Sequence, residues 1–200
     1  MKVVVDHKSR RLDFQLIPDE LDARPPLDRV WFRFDRWVRT DPSRMALLAF
    51  SLVEDLIGNS FELEGLQMPA HVASALQRGF PGHELFVQGL SNEARALQIK
   101  PRYTKLLGPF DGPAGDDAQA LRVTRTEMGF EFHDAAGELQ GRWTSNLALH
   151  LSLCAADPPA ALQTALYLMA RDAFLVQAMA RPAGRTLSLD VIKEVGGELH

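Results

Sequence analysis

Glu62 and Glu64 stand two apart in "SFELEG", an alternating stretch that reads as a strand. Residues two apart on a strand face the same side, so the two carboxylates could work as an acid and base pair or hold a divalent cation. The structural alternative is a solvated strand face opposite Phe61 and Leu63, the pattern that any half-buried strand shows. His83 follows "GFPG", a glycine-flanked turn where an imidazole could sit at a pocket mouth, but Glu84 beside it would point to the other face and makes a poor dyad with it. Glu62, Glu64 and His83 are the catalytic candidates.

Other residues that could do chemistry are weaker. His150 and Cys154 invite comparison with an imidazole-activated thiolate. Read as part of a continuing strand, "NLALHLSL", they would be about 13 Å apart and unable to pair. Asp111, Asp116 and Asp117 lie in "PFDGPAGDDAQA", a loop that could take a hard cation, though without EF-hand spacing. His133 and Asp134 fit a turn in which the aspartate caps its own backbone, and His7 falls in a hairpin loop. No histidine pair has ligand spacing, so no metal or other cofactor is expected. A GxGxxG after a strand, a Walker A loop, HExxH, CxxC pairs and GxSxG are all missing from the sequence, which disfavours the commonest dinucleotide, P-loop, zinc-protease and serine-hydrolase chemistries.

The densest concentration of recognition-type residues is "RVWFRFDRWVR", residues 29 to 39. Arg29, Trp31, Arg33, Arg36, Trp37 and Arg39 could dock a partner protein, since Trp and Arg are enriched at interface hot spots. Arginines on phosphate with rings as stacking platforms would instead describe a single-strand nucleic-acid binder. In the third reading the tryptophans are core and the arginines its wet rim. Helical periodicity groups Val30, Trp31, Phe34, Trp37 and Val38, whereas the aromatic and β-branched content favours a strand, which is expected through Phe34.

The elements that must position these residues indicate a mixed α+β fold. "MKVVVD" and "RRLDFQLI" read as a hairpin. Asp41 and Pro42 open a helix whose apolar run, "MALLAFSLVEDLIG", reaches Gly58, and "PAHVASALQRG" forms a second short helix. "ALRVTRTE", "GFEFHD" and "ELQGRWTSNLALHLSL" read as a three-stranded antiparallel meander packed on a long C-terminal helix. That helix opens at Asp157 and Pro158 and runs to "RPAG". Two units, 1–108 and 119–200, or one continuous domain, both fit the 109–118 loop.

Composition bounds the function classes. The 200 residues are 46% hydrophobic and 24% charged, a globular balance, with a formal charge of −4 and so no global basic field. The first 44 residues carry +2 and the remaining 156 carry −6, so any basic patch lies early. A single cysteine rules out an intrachain disulfide, and no stretch is long and apolar enough for a signal peptide or a membrane span, so a cytoplasmic protein is expected. Seventeen arginines against five lysines fit a bacterium of high GC content. The first expectation is a non-catalytic bacterial subunit or adaptor that binds a partner protein, or a second copy of itself, through the Arg/Trp segment. The alternatives are a small enzyme on a polar or phosphorylated metabolite and a single-stranded nucleic-acid binding module.

Overall fold

Period-two alternation organises most of the chain. The computed structural model describes residues 1–38, 41–91, 101–109 and 119–179. β1 (Lys2–Lys8) and β2 (Arg11–Ile17) form an antiparallel hairpin, and β3 (Arg29–Phe34) pairs antiparallel with β2. The strand form of the Arg/Trp segment is thus the one adopted up to Phe34. Val30, Phe32 and Phe34 go inward, with Leu12 and Phe14 beside them, while Arg29, Trp31 and Arg33 go outward.

Helix α1 (Pro42–Ser51) begins where expected. Asp41 Oδ1 accepts from the backbone N–H of Ser43 at 2.9 Å and Arg44 at 3.3 Å, and Pro42 takes the first position. It stops at Ser51, well before Gly58. Tight turns succeed it, with Val53 N–H donating to Phe50 C=O and Leu56 N–H to Val53 C=O. β4 (Ser60–Glu64) then lies parallel to β1. β5 (Met68–Pro69) leads into α2 (Ala70–Gly79), then β6 (Glu84–Val87) pairs parallel with β4, and β7 (Leu90–Ser91) forms a small separate pair with β5.

The later chain contributes β8 (Tyr103–Leu107), β9 (Ala120–Thr126), β10 (Gly129–His133) and β11 (Leu139–Ser145), then α3 (Leu147–Cys154), α4 (Pro158–Phe174) and β12 (Val176–Met179). Ten strands make one mixed sheet in the order β12-β8-β9-β10-β11-β3-β2-β1-β4-β6. Its middle, from β9 to β1, is antiparallel, and two strands on each flank are parallel. β3 meets β11 at the centre, which brings residues more than 100 positions apart into register: Trp143 opposite Phe34 and Ser145 opposite Phe32.

One continuous apolar core joins the inward residues of the strands to all four helices, including Leu48, Phe50, Leu76, Leu151, Leu166 and Tyr167. At its middle Trp143, fully buried, packs against Phe132 at 4.2 Å, Phe34 at 5.4 Å and Phe174 at 5.5 Å between ring centroids. The opposite sheet face carries the polar alternates.

Two expectations about the C-terminal half are corrected. The strand from Leu139 does not continue to Leu153: it ends at Ser145, and the leucine-rich stretch is helix α3. Ser145 and Asn146 explain the switch. Ser145 Oγ donates to Trp31 C=O at 2.7 Å and accepts from Leu147 N–H at 3.1 Å. Asn146 accepts from Trp31 N–H at 2.9 Å through Oδ1 and donates to Arg29 C=O at 2.8 Å through Nδ2. Two polar side chains therefore satisfy the β3 backbone in place of the departing strand, and free the chain to turn. Helix α4 is likewise shorter than expected. Asp157 caps it through Ala160 N–H at 3.1 Å, but it ends at Phe174, where Leu175 adopts left-handed backbone at φ +57° and Val176 enters a strand parallel to β8. Among the described residues, no helix is long and apolar enough to cross a membrane.

Candidate functional site

The outward face of β3 is a web of ion pairs. Asp13, directly across from Trp31, is buried under its neighbours. Its Oδ2 accepts from Arg11 Nε and from Arg33 Nη1 at 3.3 Å, while Oδ1 has no partner among the described residues. Burial alone would raise the Asp13 pKa, but the hydrogen bond from Arg11 and the charges of Arg33 and Arg11 outweigh it and hold the carboxyl below the usual range. Arg33 also donates to Phe32 C=O at 3.0 Å and lies over the Trp31 ring at 5.2 Å. Further along the face Arg142 bonds Glu131 through Nε at 2.8 Å and Nη2 at 2.6 Å. Arg11, Arg33 and Arg142 are therefore engaged with carboxylates of their own chain. Trp31 is half-buried beneath this web, and Arg29 is exposed at its edge.

Past Phe34 the segment leaves regular pairing. Asp35 Oδ2 accepts from Arg142 N–H at 2.8 Å and Val38 N–H donates to Ser9 C=O at 3.4 Å, which ties residues 35 to 38 to β11 and to the turn of the β1–β2 hairpin. Val38 is core, Arg36 turns over the Phe174 ring at 4.9 Å, and Trp37 is left 62% exposed. The six partner-binding candidates thus separate. Trp31 and Arg33 belong to the sheet surface, Arg36 to an aromatic corner, and Trp37 projects into solvent. Arg39 lies outside the described residues.

The catalytic candidates are not brought together. Glu62 and Glu64 share one face, as their spacing requires, but Lys2 on the adjacent strand binds both, Nζ to Glu62 Oε1 at 3.2 Å and to Glu64 Oε2 at 2.5 Å. A fixed ammonium between two carboxylates occupies the place that a proton or cation would take. His83 is elsewhere, stacked on Phe80 with ring centroids 3.8 Å apart, its Nδ1 buried without a partner among the described residues. Phe50, Phe61, Leu76 and Leu85 line the niche beside it, whose free space of about 10 Å³ is that of one water.

His150 and Cys154 are the pair that the strand reading separated and the helix joins. One turn of α3 puts them at i and i+4, with Cys154 Sγ 3.5 Å from His150 Nε2. The chemistry does not follow from the contact. Nε2 also lies 2.8 Å from Leu52 C=O, which can only accept, so Nε2 carries the hydrogen and cannot take the thiol's proton. Burial, opposed by that hydrogen bond, lowers the His150 pKa, and Nδ1 is buried with no partner among the described residues. Burial and then the charge of Asp55 push the Cys154 thiol up to about 11. The pair is an inert core contact. Asp134 caps its turn as expected, Oδ1 accepting from Ala136 N–H at 3.0 Å and Glu138 N–H at 2.9 Å. Asp111, Asp116 and Asp117 lie outside the described residues, and no group of three or more His, Cys, Asp or Glu suited to a metal ion occurs among the described ones.

What sequence reasoning missed is the corner around Phe174, where Arg36, Arg102, Tyr103 and Gly141 meet. Five positions, Phe174 included, spread over 139 residues leave no local pattern; the pairing of β3 with β11 and of β12 with β8, together with the bond from Arg102 to Gln140, assembles them. Comparisons of the chain with protein families, with curated proteins and with solved structures find no match in any of the three.

Proposed function

We propose that this chain is a non-catalytic subunit or adaptor that binds a partner protein through the end of the Arg/Trp segment, with Trp37 as its anchor. The exposure of Trp37 carries the reading. A tryptophan ring that projects from a backbone fixed by Asp35 and Val38 loses little freedom on docking and offers a large apolar area beside exposed Arg36. The catalytic alternative loses support where Lys2 binds Glu62 and Glu64 together. The nucleic-acid alternative loses it where Arg11, Arg33 and Arg142 are already paired with Asp13 and Glu131.

The test is light scattering on the purified chain, alone over a concentration series and mixed with the products of neighbouring genes. A complex should form with one such product, or with a second copy, and Trp37→Ala should weaken it by about 30-fold or more, the loss of a hot-spot anchor. A complex indifferent to Trp37→Ala, or none with any neighbour and a monomer throughout, counts against the proposal.

A further inference from the structure

At the corner formed by the start of β8, by β11 and by the end of α4, two guanidinium groups have no counter-charge among the described residues. Arg36 covers the Phe174 ring, and a Cβ on Gly141 would come within 2.7 Å of Arg36 Nη2 and 2.9 Å of Phe174 Cζ. Gly141 is therefore bare because the guanidinium fills the place of a side chain. Arg102 donates through Nη2 to Gln140 Oε1 at 3.1 Å and lies over the Tyr103 ring at 5.3 Å. Gln140 and Gly141 are adjacent residues at an irregularity in β11, where Phe132 pairs with Gly141 but His133 with Leu139. The extra residue bends the strand and re-aims its side chains, and so sets the two arginines against neighbouring positions.

Neither arginine forms an ion pair among the described residues. Asp134 is the carboxylate that reaches this corner, and both of its oxygens are engaged, Oδ1 by Ala136 and Glu138 and Oδ2 by Gln140 Nε2 at 2.8 Å. Tyr103 is buried with Arg102 over its ring, and its hydroxyl has no hydrogen-bond partner among the described residues. Burial raises the Tyr103 pKa, Asp134 adds to the rise, and the positive fields of Arg102 and Arg36 oppose it.

We propose that Arg36 and Arg102 form a binding site for one tetrahedral oxyanion, phosphate or sulphate in chemistry, at the Tyr103 corner. Two planar forks of donors suit a multi-oxygen anion, and an anion would offset the charges of two arginines set against the adjacent residues Gln140 and Gly141. A single corner with two arginines fits one anionic group rather than a nucleic-acid backbone, which needs a track of contacts. The site does not depend on partner docking at Trp37.

The test is titration of the full chain with inorganic phosphate, by calorimetry and by phosphorus NMR line width, with sodium chloride adjusted to hold ionic strength constant. Saturable binding is expected, weakened at least tenfold by Arg36→Gln and by Arg102→Gln, and unchanged by Arg125→Gln at an exposed position of β9. If circular dichroism shows that a glutamine variant fails to fold, Arg36→Lys and Arg102→Lys keep the charge but lose the fork, and each should cost at least threefold. Absence of saturable binding overturns the site, as does affinity that the variants of both arginines leave intact.

Discussion

Alkylation of Cys154 gives a direct reading of the α3 geometry. It is the one cysteine of the chain, so a thiol reagent reports on it alone. Its pKa is pushed to about 11 from an ordinary 9.0, so at neutral pH the thiolate population is reduced by roughly 100-fold. Half-burial of the side chain slows attack further in the same direction. With iodoacetamide at pH 7.5, followed by intact mass, Cys154 should react about 100-fold more slowly than the cysteine of a short unstructured peptide. Its rate should still be climbing at pH 10, where the peptide's has levelled. His150→Gln should not slow it, because His150 Nε2 donates to Leu52 and accepts no proton from the thiol. A rate equal to or above the peptide's, or a tenfold loss in His150→Gln, would show an activated pair and refute the reasoning.

Asn146→Ala removes an acceptor from Trp31 N–H and a donor from Arg29 C=O, and should cost about 1–3 kcal/mol in urea unfolding; a change under 0.5 kcal/mol, roughly the noise of such data, would mean water replaces both bonds. Trp143→Ala should cost about 3–5 kcal/mol from its fully buried position, whereas Trp143→Phe should cost clearly less, since it also removes a buried indole N–H with no acceptor among the described residues. Equal losses in the two variants would contradict that. His150 has a folded pKa below its unfolded value, so the stability it contributes is complete above about 6.5 and is lost as pH falls from there toward the folded pKa. The denaturation midpoint should drop between pH 7 and 5 by a slope of at most about 1.4 kcal/mol per pH unit, and His150→Gln should flatten it; an unchanged slope in the variant would assign the effect elsewhere.

The sequence was most legible where local chemistry decides. Asp41-Pro42 and Asp157-Pro158 marked two helix starts, alternation marked β1, β2 and β4, and aromatic and β-branched content chose strand over helix for Arg29–Phe34. It was least legible where tertiary contacts override pattern. "NLALHLSL" alternates as a strand would, yet Ser145 and Asn146 use their side chains to close the β3 backbone, and leucine accepts a helix readily. A Ser-Asn pair ahead of an apolar run is itself a helix-start signal, outweighed in the strand reading by leucine parity.

The same distinction governs the candidate site. Spacing correctly placed Glu62 and Glu64 on one face, but spacing has no access to Lys2, which arrives from a parallel strand about 60 positions earlier and bridges the two carboxylates. The Arg/Trp segment reads as a single recognition stripe, and the fold divides it by what each residue meets: Asp13 for Arg33, Phe174 for Arg36, solvent for Trp37. A stripe of like residues becomes three separate environments because β3 is central in the sheet while residues 35 to 38 pass beyond it. The proposed partner surface at Trp37 and the proposed anion site at Arg36 are therefore separable by a single-residue variant at each position.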